Sequence, residues 1–77
     1  MEYNGHKNRN HWNVNLWINN DEKLYRVARE IVMSSRNKDQ AARSMFEYLR
    51  DKGRTYTPDG APYSVSSIRA ALRNLDA

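Results

Sequence analysis

Apolar and polar positions along the chain predict a set of short helices. Leu24, Val27, Ala28, Ile31 and Val32 follow the i, i+3, i+4, i+7, i+8 spacing of one helix face, with Lys23, Arg26, Arg29 and Glu30 turned outward. This helix is expected from about Asp21 to near Ser35, capped by Asn19 or Asn20. With Asn19 as the cap, Glu22 three residues on completes a capping box, and Asp21 and Glu22 set negative charge against the positive helix end. A second helix opens at Asn37, with Gln40 three residues later, and buries Ala42, Met45, Phe46 and Leu49. Lys52 falls in its last turn, Gly53 is the left-handed residue that stops it, and Asp39 and Arg43 are spaced to pair at i, i+4. The last helix is capped by Ser64, and Tyr63 before the cap can staple onto Ile68. Its buried stripe is Val65, Ile68, Ala71, Leu72 and Leu75, leaving Ser66, Ser67, Arg69, Ala70, Arg73 and Asn74 outward or flanking.

Between Asn10 and Ile18 two patterns compete. Trp12, Val14, Leu16 and Ile18 alternate as in a strand, yet Val14, Trp17 and Ile18 also share a helical face. A strand needs a partner, and the only other extended candidate is the short segment Arg54 to Thr57, so a short helix is expected. Both tryptophans lie here, and large apolar side chains are densest between Trp12 and Val32, so a tryptophan-filled interior is expected. Residues 1–10 are polar and without periodicity and read as an irregular lead, although Tyr3 can fold back on the core. Thr57, Pro58, Asp59 and Gly60 form a turn, in which proline presets one dihedral and glycine supplies another. Tyr56 and Tyr63 flank it and either clamp it onto the helices or stack on bases or a partner surface. The fold class is therefore all-α: a compact bundle of three to four short helices with one extended TPDG loop. It is organised as one domain, with a lead (1–10), a Trp-rich core and first long helix (11–35) and a carboxy-terminal half (37–76).

Composition narrows the function. A chain of 77 residues suits one domain, which buries only about 60% of the surface its unfolded form exposes. The absence of cysteine excludes disulfides and thiolate metal sites and suits a reducing cytoplasm. No apolar run approaches the roughly 20 residues of a membrane span, and the amino-terminal residues lack the apolar stretch of a signal peptide, so a cytoplasmic protein without membrane association is expected. The net charge is +4 and the pI about 9.7, with arginine more frequent than lysine. That balance favours anionic partners, because arginine pairs bidentately with phosphate or carboxylate; the plain alternative is a solvated surface.

Catalytic patterns are missing. There is no GxSxG elbow, HExxH, Walker-type loop or GxGxxG, and the carboxylate pairs Asp21 with Glu22 and Glu47 with Asp51 are accounted for by capping and a solvated helix face. His6 and His11 lack a third ligand. The reading is a non-enzymatic protein with no cofactor, no metal and no small-molecule substrate.

The string WNVNLWINNDEKLY, with Tyr3, Gly5 and Asn10 ahead of it, resembles a family of short phage and mobile-element proteins of unsettled role, over roughly residues 3–28. The second half resembles the small helix-turn-helix unit that follows the catalytic domain of large serine recombinases. The matching residues are Ala41, Leu49, Gly53, Thr57, Pro58, Gly60, Tyr63, Ser64, Ile68, Arg69 and Leu72. Three features depart from that unit. Phe46 and Glu47 replace smaller residues, one extra residue separates Gly53 from Pro58, and Asp59 stands where a basic residue is usual. The resemblance implies that the helix starting at Ser64 enters the major groove, with Ser66, Ser67, Arg69 and Arg73 as outward contacts and Arg54 and Arg50 on phosphate. No recombinase chemistry follows, since the catalytic domain is absent from this sequence. The expected role is thus a phage or mobile-element accessory protein, monomer or homodimer, that binds DNA. The competing role is inhibition of a host or anti-phage defence protein, in the manner of an anti-CRISPR, through Trp12, Trp17 and Tyr25 as anchors.

Overall fold

The computed structural model describes residues 8–73 and 75. Four helices follow one another: α1 (Arg9–Asn20), α2 (Glu22–Ser34), α3 (Lys38–Asp51) and α4 (Val65–Leu72). The fold is all-α. Tyr3, Gly5, His6 and Asn74, on which earlier expectations fall, lie outside the described residues.

The ambiguous stretch is helical and longer than expected. Asn8 accepts from the amide of His11 (2.9 Å), so α1 begins at Arg9, inside the stretch assigned to an irregular lead. Val14 and Ile18, one turn apart, are completely buried, and this i, i+4 pair explains why helical periodicity prevails over the alternation.

A single residue separates α1 from α2. The amide of Asp21 donates to the carbonyl of Trp17 (3.0 Å), closing α1, while its side chain accepts from the amide of Leu24 (3.0 Å), opening α2. Asp21, rather than Asn19 or Asn20, is therefore the cap. Both asparagines are still inside α1, where Asn20 bonds back to the carbonyl of Leu16 and Asn19 to the carbonyl of Asn15. Asn37 caps α3 as expected, accepting from Gln40, whose own side chain reaches the amide of Arg36. Lys52 closes α3, and Gly53 follows at φ 72°, a region open to glycine without steric cost.

One core joins all four helices. Ile18, Met45, Leu49, Ile68, Leu72 and Val14 are its largest fully buried apolar side chains, and Ala28, Ala41, Ala42 and Ala71 let the helices approach closely. The expected tryptophan-filled interior is not what forms. Trp12 and Trp17 are only half-buried, because the core face of α1 is taken by Asn13, Val14 and Ile18. α1 packs most extensively against α4, with Asn19 donating to the carbonyl of Ala71 (3.3 Å) across that seam. Leu75, beyond the end of α4, is buried with the core. Among the described residues, no helix is long and apolar enough to cross a membrane.

The segment 52–64 between α3 and α4 is a miniature hairpin. The amide of Gly60 donates to the carbonyl of Thr57 (2.8 Å) and that of Thr57 to the carbonyl of Ala61 (2.7 Å), with Gly60 at φ 90°. A three-residue loop with glycine in the left-handed position is a standard hairpin geometry. Tyr56 and Pro62 face each other one step further on, and the next bond runs from the amide of Tyr63 to the carbonyl of Thr55 (3.0 Å). Proline is tolerated at 62 because the ladder asks for no donor there.

Candidate functional site

The six residues assigned to DNA occupy unlike environments. Ser64 opens α4 by accepting from the amide of Ser67, and Oγ of Ser67 accepts in turn from the amide of Ser64 (3.0 Å), a complete capping box. Ser67 is therefore buried and turned inward, which corrects its place among the outward contacts. Ser66 is exposed, with its hydroxyl 3.2 Å from Nε2 of His11. Arg69 and Arg73 continue the same exposed edge at i+3 and i+7 from Ser66. Arg69, however, forms an ion pair with Asp39 at the start of α3. The expected pairing of Asp39 with Arg43 does not form, because packing of α3 on α4 brings Arg69 to that carboxylate. Arg50 lies above the ring of Phe46, 6.0 Å from its centroid. Arg54 leaves the end of α3 exposed and borders a small depression with Lys23 and Lys52.

Beside α4 the hairpin is bonded to α1 through a chain of side chains. The amide of Ala61 donates to the hydroxyl of Thr57 (3.0 Å), and that hydroxyl donates to Oδ1 of Asn13 (2.6 Å). Nδ2 of Asn13 donates to Oδ2 of Asp59 (2.9 Å), and the indole Nε1 of Trp17 donates to the same oxygen (2.9 Å). Asn13 and Thr57 are buried, so this network satisfies polar groups that would otherwise be costly. Asn13 and Trp17 are one turn apart and present two donors side by side, and the turn supplies the acceptor. The hydrogen bonds from Asn13 and then Trp17, aided by the charge of Arg9, hold the Asp59 carboxyl below the usual carboxylate range. Asp59, which departs from the recombinase pattern, is thus the residue that fastens the turn to the helix. Its role was missed because neither Asn13 nor Asp59 is unusual alone; the signal lay in the matched pair.

The two tyrosines of the loop diverge. Tyr63 is buried in the core, and burial pushes its hydroxyl above the ordinary tyrosine range, opposed by Arg54 and assisted by Asp21. Tyr56 is 63% exposed and is not part of the core. It borders a groove of about 240 Å³ with Trp17 and Pro58. Of the three aromatic anchors considered for a protein partner, Trp12 and Trp17 are half-buried. Tyr25 is at the surface of α2, along a shallow groove that it shares with Arg29 and exposed Met33. Among the described residues no three His, Asp or Glu stand close enough together to hold a metal ion.

Both partners in the clamp, the WNVNLW helix and the TPDG turn, fall within residues 1–75, the span that matches a family of unknown function, DUF7249. The chain belongs to that family. No match was found among curated proteins or among solved structures. For a DUF7249 protein the clamp offers a physical reason for tryptophan and asparagine to be spaced as they are in α1.

Proposed function

We propose that this DUF7249 chain is a non-enzymatic accessory protein of phages or mobile elements that binds DNA through α4. The observation that carries the reading is the exposed edge of α4, where Ser66, Arg69 and Arg73 fall in line while Ser67, Ile68, Ala71 and Leu72 are buried on the side that packs against α1 and α3. The net charge of +4 supplies long-range attraction to a polyanion. Arg50 and Arg54, both exposed, are the candidate phosphate contacts. The ion pair with Asp39 does not remove Arg69 from this set. Arg69 and Asp39 are 56% and 65% exposed, and pairs at such exposure contribute only about 0–1 kcal/mol, so a phosphate can replace the carboxylate.

The test is an electrophoretic mobility shift with short duplex DNA at several salt concentrations. Binding that weakens with salt, and weakens further in Arg69→Ala with Arg73→Ala while helicity is unchanged, is the expected result. A chain that leaves duplex unshifted at low salt overturns it. The second reading, a small inhibitor of a host or anti-phage defence protein, is favoured by exposed Tyr25 and Met33 on α2. It is expected to give nuclease-resistant capture of one host protein, lost in Tyr25→Ala.

A further inference from the structure

We infer that the groove between the hairpin and the α1–α2 junction is a binding site for an unpaired nucleotide, its ring against Trp17 and Tyr56 and its phosphate on Lys23, Lys52 and Arg54. Two adjoining depressions carry the inference. The first, about 240 Å³, has Trp17, Tyr56 and Pro58 as walls and buried Leu24 and Tyr63 behind them. It is smaller than the roughly 300–1,000 Å³ of sites for drug-sized ligands, which suits one ring rather than a larger molecule. The second, about 30 Å³, gathers Lys23, Lys52 and Arg54 around Leu24 and Tyr48. Leu24 and Arg54 border both, so the cations begin where the aromatic walls end.

The charge here is not internally spent. Among the described residues the ion pairs are Arg26 with Glu22 and Arg69 with Asp39, so no carboxylate engages Lys23, Lys52 or Arg54. Lys52 lies over the ring of Tyr48, 5.7 Å from its centroid, which leaves its positive charge uncancelled. Asp21 also borders the aromatic depression, but one of its oxygens is bound to the amide of Leu24. The other oxygen gives the ring end of the groove an acceptor for base N–H groups. Trp17 is already oriented by its bond to Asp59, so one stacking wall is fixed before a ligand arrives. Aromatic faces beside a cationic track are the shared chemistry of proteins that hold single strands, since every base offers a π-face and every nucleotide a phosphate. A double helix, whose bases are already stacked, cannot use such a groove.

The site does not depend on the role of α4 and shares only Arg54 with the proposed duplex contacts, so variants at Tyr56 and at Arg69 with Arg73 separate the two. Fluorescence anisotropy with labelled oligo-thymidine and oligo-uridine, about 12 nucleotides long to match the footprint of single-strand binders, reads it directly, with a duplex of equal length as comparison. In Arg69→Ala with Arg73→Ala, where α4 no longer contributes, the single strand is expected to bind more tightly than the duplex. Tyr56→Ala and Arg54→Ala are each expected to weaken single-strand binding roughly tenfold or more. Tyr56→Phe, which keeps the ring, is expected to retain it, and Arg69→Ala with Arg73→Ala to affect it far less. Preference for oligo-thymidine or oligo-uridine identifies the source of the nucleotide as DNA or RNA. Failure to bind either strand, or indifference to Tyr56→Ala in a protein of unchanged helicity, would overturn the assignment.

Discussion

The indole Nε1 of Trp17 and the amide of Asn13 converge on one carboxylate oxygen of Asp59, each at 2.9 Å. Residues 42 and 46 positions apart in sequence are thereby joined, and the hairpin becomes a fixed part of the molecule rather than a loose connection.

The buried half of this network is the part whose loss costs most. Thr57→Val keeps the shape of the side chain but strands the amide of Ala61 and Oδ1 of Asn13, both of which use the Thr57 hydroxyl. Leaving such groups unsatisfied costs about 1–3 kcal/mol, and each kcal/mol lowers the melting temperature of a domain this size by about 4–8 °C. Calorimetry is expected to show that loss for Thr57→Val and little change for Thr57→Ser.

The exposed half gives a pH dependence of defined sign. The Asp59 carboxyl is held below its ordinary value in the folded state, so its contribution is present above the unfolded value of about 4 and fades as pH falls through the lower folded one. The urea midpoint of the native chain is expected to decline through that range more steeply than that of Asp59→Asn. The indole N–H resonance of Trp17 should move with the same titration; an indole signal indifferent to pH below 4 would contradict the bond.

Asp39 competes with phosphate for Arg69. Asp39→Asn removes the competitor and raises net charge by one, so duplex binding through α4 is expected to tighten and its salt dependence to steepen. The change in stability should stay within about 1 kcal/mol, as for other exposed pairs. Unaltered duplex affinity in this variant would count against α4 as the binding edge.

The aliphatic core predicts where the fold is most fragile. Ile18 is fully buried, and Ile→Ala truncation in a core costs about 2–5 kcal/mol. At about 0.05–0.15 kcal/mol per residue, total stability is on the order of 4–12 kcal/mol. Ile18→Ala is therefore expected to populate unfolded chain visibly by circular dichroism at 37 °C, whereas Met33→Ala on the surface of α2 should melt like the parent.

Local rules accounted for α3 and α4 well, because their caps, stripes and terminal glycine are short-range features: Asn37, Gly53 and Ser64 act within a few residues of themselves. The start of α2 was misjudged by one or two positions, since Asn19, Asn20 and Asp21 are all competent caps and only the geometry of α1 decides among them. The depth of the tryptophans was misjudged for a different reason. Hydrophobic size ranks Trp12 and Trp17 above Val14, but helix phase sets Val14 and Ile18 inward and leaves the indole of Trp17 to meet Asp59. Arg69 was legible as exposed, and its partner was not, because Asp39 is brought to it only by the packing of α3 on α4. The groove at Trp17 and Tyr56 was invisible for the same reason: its walls come from helices and hairpin far apart along the chain.

Because α1 packs chiefly on α4 and less on α2, the inward face of α1 stays incompletely covered until α4 has been synthesised. During translation Val14 and Ile18 must wait, partly solvated or loosely covered, for α4 to emerge. Emergence of α4, rather than stepwise growth, is then the event that makes folding cooperative, and ribosome-stalled chains ending before α4 are expected to remain protease-sensitive throughout.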